Sequence, residues 1–290
     1  MVTLSFLYIA TLLYTYVLAK QKKMAGDIVD RRKRIAPTVD DTIAPAYRSH
    51  GFPGIGLLRV EFDGCIFYGT ATIIADGKCL LTAAHMVVEY DTVKSTHTFA
   101  TSAWFELRKN DVGTGSTLIR RYNVTNVVVH PKYIENPTSN SGFDLALCWI
   151  DVPETDHTIS ELHKSAGIPI PTSTITDITG EVAVVGFPGE NKEEKWGMAV
   201  EIPSDRKKDW TFSENKEILT YDFIDTSPGQ AGSPVMHLGQ KSCEIIGVHT
   251  GGSAILKKKW GTFITPAKLK WIVESLGSPW KISGNSYLAK

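Results

Sequence analysis

Charge of one sign, clustered cysteine and internal repetition are all missing from this sequence. Its 31 basic residues balance 31 acidic ones, so no global field draws the chain to nucleic acid or to an anionic membrane. No repeat or low-complexity tract is apparent, and the apolar and aromatic content is that of an ordinary globular protein. There are four cysteines, Cys65, Cys79, Cys148 and Cys243. Their wide spacing excludes a C-x-x-C zinc or redox signature. Nothing in the sequence implies a metal or another cofactor. Lys and Arg are also absent from the first nineteen residues.

What stands in those nineteen residues is an apolar run, Phe6 to Ala19, ending Val17-Leu18-Ala19 before Lys20. The small closing residues suit a signal-peptidase site, so residues 1–19 are expected to be a signal peptide and the protein to be secreted, extracellular and free of the membrane after cleavage. An uncleaved anchor is the alternative, because the run approaches spanning length. A basic stretch, Lys20 to Arg34, follows and ends Arg31-Arg32-Lys33-Arg34. Such a tetrabasic run is read by furin-like convertases, and cleavage would make Ile35 the new N-terminus of a processed precursor. A solvated linker is the rival reading. Secretion permits disulfides, and four cysteines allow three pairings. Cys148 and Cys243 lie in apolar runs where cysteine behaves as a small buried hydrophobe. Asn123-Val124-Thr125 is an N-glycosylation acceptor.

From about Gly54 the pattern is β. IGLLRVEF, CIFYGTATII and CLLTAAH are short runs with turn residues between them, followed by TFATSAWFEL, VTNVVVH and DLALCWI. Residues 151–170 are polar and read as a connection. A second series runs through EVAVVGF, GMAVEI, EILTYDFI, SPVMHL, CEIIGVHT and GTFIT. Many short strands at close spacing indicate barrels or sandwiches. Thr265-Pro266 then supplies an N-cap and first-turn proline for a helix that continues to Gly277. The expectation is two β-units of about a hundred residues each and a C-terminal helix.

Three segments carry chemistry. Leu80-Leu81-Thr82-Ala83-Ala84-His85 ends an apolar strand on a histidine. In Gly142-Phe143-Asp144-Leu145-Ala146-Leu147 an aspartate opens an apolar strand, where burial is costly unless a group donates to it. A histidine Nδ1–H is such a donor, and the contact would leave Nε2 free to take a proton. Ser227-Pro228-Gly229-Gln230-Ala231-Gly232-Ser233-Pro234 is a Gly-rich bend suited to aiming backbone N–H groups at one point, as an oxyanion hole requires.

In that order these motifs resemble the chymotrypsin-like serine peptidases. The resemblance is closer to the glutamyl endopeptidases of the staphylococcal type, through Val184 to Gly189, Lys195-Trp196 and Ile246 to Gly252. It covers residues 35–277, and implies an all-β fold of two antiparallel six-stranded barrels (about 35–150 and 165–264), helix 265–277 and a tail, 278–290. His85 matches the general base and Asp144 its orienting carboxylate. Gly229 and Ala231 match the oxyanion hole. Ala231 also stands where the family has its nucleophilic serine. Ser233, two residues on, would miss the hydrogen-bond reach of roughly 3 Å that a base needs. Gln230 stands where classical members keep a carboxylate for the freed N-terminal amine, so Ile35 would not switch this protein on by that route. In the glutamyl subfamily the freed amine helps hold a substrate carboxylate, a part open to Ile35. His249 matches that subfamily's pocket histidine, with Thr226 or Ser227 as the accompanying hydroxyl, and a protonated His249 would add charge to the grip on an acidic side chain.

Loss of the nucleophile costs about a million-fold in turnover. The expectation is therefore a catalytically inactive homologue that binds a peptide or protein. The alternative is an active endopeptidase cleaving after acidic residues, if Ala231 is an introduced change or the register of the bend differs. A purely structural module would have no use for His85, Asp144 and His249 together.

Overall fold

The computed structural model describes residues 33–34, 52, 54–74, 77–110, 117–138, 141–156, 180–191, 196–202, 210–212, 217–221, 224–238, 243–253 and 258–277. The leader, Ile35, residues 157–179 and the tail lie outside them. Strands β1 (Lys33–Arg34), β2 (Ile55–Phe62), β3 (Cys65–Ile74), β4 (Cys79–Thr82), β5 (Val88–Asp91), β6 (Thr96–Phe99), β7 (Ser102–Asn110), β8 (Thr117–Val129) and β9 (Ala146–Ile150) come first. A short helix, α1 (Pro131–Glu135), separates β8 from β9. The second series is β10 (Gly180–Gly186), β11 (Trp196–Ile202), β12 (Trp210–Phe212), β13 (Ile218–Tyr221), β14 (Pro234–Leu238), β15 (Cys243–Ser253) and β16 (Lys258–Phe263), closed by helix α2 (Pro266–Gly277).

Six antiparallel strands of the first series close into a barrel in the order β2-β3-β4-β9-β8-β7. Its interior takes Leu58, Val60, Leu80, Phe105 and Cys148, all fully buried. The segment TFATSAWFEL is two strands rather than one: Ala100 and Thr101 leave the β5–β6 hairpin, and Ser102 begins β7. The run DLALCWI becomes strand only at Ala146, because Asp144 turns aside to meet a histidine.

The second series forms an eight-stranded antiparallel sheet, ordered β1-β11-β10-β14-β15-β16-β13-β12. Closure into a second six-stranded barrel is not seen among the described residues, although the sheet does curl. Val182 and Val184 of β10 share one buried cluster with Leu219 and Tyr221 of β13, four places away in the sheet order. Its opposite face, with Ala183, Val185, Met236 and Val248, packs into the same core as the first barrel. The fold is thus all-β and chymotrypsin-like.

The basic run, expected to be a processed pro-segment with a solvated linker as the rival reading, contributes a strand at its end. Lys33 and Arg34 pair with Gly197 and Trp196 on the outer edge of β11, where unpaired backbone invites an added strand. Residues 265–277 behave as expected: the Thr265 hydroxyl accepts from the Lys268 N–H at 3.4 Å. The permitted disulfides do not form among Cys65, Cys79 and Cys148. Leu80 faces Cys148 and Cys79 faces Trp149 across β4 and β9, so alternation sends the two buried sulfurs to opposite faces. Burial pushes the Cys148 thiol up to about 12. The Cys243 side chain lies outside the described set. Asn123 is exposed on β8.

Candidate active site

His85 leaves β4 through Ala83 and Ala84, both fully buried, into one 3-10 turn over Ala84–Met86. Its Nδ1 pairs with Asp144 Oδ2 at 2.6 Å, and its backbone N–H donates to Asp144 Oδ1 at 2.9 Å. Both carboxylate oxygens of the fully buried Asp144 are therefore spent on one residue. Nδ1–H is fixed as the donor, and Nε2 is left for chemistry. Burial opposes the imidazolium, but the charge and hydrogen bond of Asp144 outweigh it and the His85 pKa is raised.

Asp144 is held from several sides. Gly142 has φ +75, and a Cβ there would come within 2.6 Å of the Glu217 Cβ. Phe143 stacks on His130 at 5.1 Å between ring centroids and receives Lys132 and Lys268 over its face. The Thr262 hydroxyl donates to the Asp144 carbonyl at 3.2 Å. Lys268, itself buried, donates to the carbonyls of Glu217 and Phe263 and pairs with the Glu217 carboxylate, and so anchors α2 beneath this segment.

The bend at 227–233 is bolted to the first barrel through one residue. Thr70 N–H donates to the Ala231 carbonyl at 2.8 Å. Thr70 Oγ1 donates to the Gly229 carbonyl at 3.3 Å and accepts from Phe187 N–H at 3.0 Å. Gly229 and Gly232 sit at φ +94 and +86. A Cβ on Gly232 would collide with the Thr70 carbonyl and the Thr82 hydroxyl, and one on Gly229 with the Gly189 backbone. These two positions therefore require glycine on two grounds, conformation and space. Within the bend, the N–H groups of Gln230, Gly232 and Ser233 are spent on the carbonyls of Ser227, His249 and Gln230. Buried Gln230 also turns its side chain back, Oε1 accepting from Ser227 N–H at 3.0 Å. Where a carboxylate would wait for a freed amine, a neutral amide holds the bend by itself.

Ser233 is fully buried, and its hydroxyl has no hydrogen-bond partner among the described residues. It is pressed against Gly186, beside Thr70, inside the seam between sheet and barrel.

His249 is brought to the same region: its backbone joins the bend through Gly232 N–H and Ser233 C=O, and the charge of His85 acts on its ring. The ring itself is buried, with Nδ1 bonded to the Tyr221 hydroxyl at 2.5 Å and a further bond to the Trp260 backbone. Burial, helped by His85 and Lys259, pushes its pKa down to about 3. The charged imidazolium expected at this position is therefore neutral here. The Ser227 hydroxyl donates to Glu190 Oε2 at 2.9 Å, and Thr226 is half-buried beside it. Asp225 meets Lys259 at 3.9 Å. Ile35 lies outside the described residues. Thr70, Tyr221, Asp225, Glu190 and Lys259 carry no local motif, and sequence reasoning passed over them.

The family profile described as Trypsin-like peptidase domain matches residues 69–248, a span holding His85, Asp144 and the bend. A Glu endopeptidase crystallised in complex with MPD superposes with a TM-score of 0.58 at 22% identity, covering 86% of this chain and 98% of its own. The protease Anisep from Arthrobacter nicotinovorans gives 0.57 at 13% identity, covering 78% and 96%. A thermostable serine protease, AL20, from an extremophilic microorganism gives 0.57 at 14%, covering 78% and 98%. At these identities the likeness is one of fold. No curated protein sequence matches the chain significantly.

Proposed function

Since the chain belongs to the trypsin-like peptidase domain family, we propose that it keeps a peptidase's groove and binds peptide or protein segments there without cutting them. The observation that carries this reading is a contrast. His85 and Asp144 are paired at 2.6 Å, the Thr70 contacts hold the bend in place, and the bend residue at the position where the resemblance puts the nucleophile is alanine. The nearest hydroxyl along the chain, on Ser233, is sealed in the seam. Base, orienter and bend are present and the attacking atom is not, and triad members act as a unit. The apolar leader supports binding outside the cell.

The acidic side-chain preference implied by the resemblance has weaker support. Among the described residues around Thr226, Ser227 and His249, Lys259 meets the Asp225 carboxylate and Glu190 accepts from the Ser227 hydroxyl. Neutral His249 adds no charge to that balance. If an acidic side chain is nonetheless preferred, Lys259 is its counter-ion. Comparable affinity for Glu and Lys peptides would remove the preference while leaving the groove.

The decisive experiment is Ala231→Ser. The variant should acquire labelling by a fluorophosphonate probe, lost again in Ala231→Ser with His85→Ala, while the unmodified protein stays unlabelled. Labelling of the unmodified protein that disappears in Ser233→Ala would make this an active enzyme and overturn the reading.

A further inference from the structure

One motif of the sequence takes no part in the groove. Asn123-Val124-Thr125 is an Asn-x-Thr triplet without proline at its centre, unlike Asn136-Pro137-Thr138. It lies on β8 where the register against β9 shifts: Val124 pairs with Ile150 and Asn126 with Trp149, and Thr125 is left between them. Val124 is buried in the core of the barrel, while Asn123 and Thr125 are exposed. The Thr125 hydroxyl donates to the Trp149 carbonyl at 3.3 Å. The Asn123 carbonyl accepts from Asp151 N–H at 2.9 Å. Its side-chain amide has no partner among the described residues.

Across the sheet from that amide stands an aromatic ring with a cation beside it. Asn123 is the direct partner of Trp104 on β7, and directly opposed side chains start about 5 Å apart at Cβ. Trp104 is half-buried. Arg121, two residues before Asn123 and so on the same face, holds its guanidinium 5.6 Å from the Trp104 ring centroid. Its Nε and Nη2 are bonded to the buried Glu106 at 3.2 and 2.8 Å. Glu106 thus fixes the guanidinium, and Nη1 stays unspent among the described residues. The electron-rich face of an indole takes the C–H edge of a sugar ring, and a guanidinium N–H takes sugar hydroxyls. An exposed amide, a ring one strand away and a fixed donor beside it form a seat for a sugar.

We propose that Asn123 carries an N-linked glycan whose first sugar lies on the Trp104 indole. This rests on the extracellular part of the reading above and is independent of the groove. In the modifying step the Asn123 side-chain nitrogen bonds to the anomeric carbon of a lipid-diphosphate-linked oligosaccharide. The bond from that carbon to the diphosphate oxygen breaks, the lipid diphosphate leaves, and the amide gives up one proton. The fold accepts the product because no contact is displaced: the bond to Asp151 uses the backbone carbonyl, which the step does not touch. A bulky, solubilising group suits an exposed strand position of this kind. It also stands away from the bend. In the ring β2-β3-β4-β9-β8-β7, two strands separate β8 from β3 in either direction, and β3 supplies the Thr70 that fastens the bend.

The test expresses the full chain, with its own leader, in cultured mammalian cells that make only high-mannose glycans. The intact mass of the secreted protein should exceed that of Asn123→Gln by one glycan. An endoglycosidase then trims the glycan to a single N-acetylglucosamine, and the trimmed protein is compared with an unglycosylated form from cells whose glycan transfer is inhibited. The trimmed form should have the higher urea midpoint. The indole N–H of Trp104, bonded to nothing among the described residues, should resonate differently in the two forms. Trp104→Ala should keep the glycan and lose the midpoint difference, whereas Trp104→Phe should keep both. Secreted protein without a glycan would overturn this inference and leave the extracellular and groove readings standing. Unglycosylated protein retained inside the cells would overturn this inference and the extracellular reading together. A glycan whose loss moves neither midpoint nor resonance would overturn its seat on Trp104.

Discussion

Ser233 shows how little sequence distance says about chemical reach. It is two residues from Ala231, where the proposed reading puts the missing nucleophile, yet its hydroxyl is buried with no hydrogen-bond partner among the described residues. Beside it, a Cβ on Gly186 would collide with that same hydroxyl. An unpaired buried hydroxyl is a net cost to the fold, on the order of 1–3 kcal/mol for desolvation. Ser233→Ala should therefore leave stability unchanged or raise it by about 1 kcal/mol, and should leave peptide binding alone. A urea midpoint clearly lowered by this change would mean the hydroxyl has a role that the geometry does not show. On the proposed reading position 231 obeys the opposite rule: there the absence of a hydroxyl leaves the intact His85–Asp144 pair with nothing to activate.

At the scale of elements, the bend and the two strands beneath it behave as one piece. Gly232 combines φ +86 with contact against the Thr70 carbonyl and Thr82 hydroxyl. Replacing it with alanine adds left-handed strain and overpacking together, a loss on the order of 3 kcal/mol or more. Gly232→Ala should lower the urea midpoint accordingly and weaken peptide binding in the groove. A well-folded variant of unchanged affinity would show that the bend is free to move. The same elements mark what was legible in the sequence. His85, Asp144 and the bend announce themselves because each sits in a short segment with its own pattern: a strand running out on small residues, an aspartate opening an apolar run, a Gly-rich turn. The groups that hold them are far off in the chain. Thr70 and Gly229 are 159 residues apart, Lys268 and Glu217 are 51, and Tyr221 and His249 are 28. None of these pairs leaves a periodic or compositional trace. The neutral state of His249 was illegible for the same reason, since it follows from burial and from Tyr221 rather than from the residues GVHTGG. The strand at Lys33–Arg34 was missed because charge argues for solvent, whereas the free edge of β11 accepts any extended backbone.

For the whole molecule, two buried histidines set the response to acid. Burial, with Lys268 and Lys132 nearby, takes His130 down to about 4, and His249 is taken down to about 3. An unfolded histidine titrates near 6.5. Between those values the unfolded chain binds protons that the native state refuses, so stability falls as pH falls from 6.5 toward 4, by about 1.4 kcal/mol per pH unit for each histidine. His85 has the opposite sign: its raised pKa gives stability that is complete below 6.5 and fades as pH rises through its folded value. It therefore does not cancel the acid slope. Urea midpoints at pH 6.5 and 5 should differ in the direction stated, and His249→Gln should roughly halve the difference. A flat profile over that interval would contradict the burial of both rings.

The joint at Thr70 has one more consequence, and it concerns ancestry. The hydrogen bonds that aim the bend are the same ones that fasten the second sheet onto the first barrel. Selection for a chain that merely folds would thus preserve the shape of this bend whether or not the protein cuts peptides. On the proposed reading, the side chain at position 231, which no hydrogen bond of that joint uses, changes without loosening it.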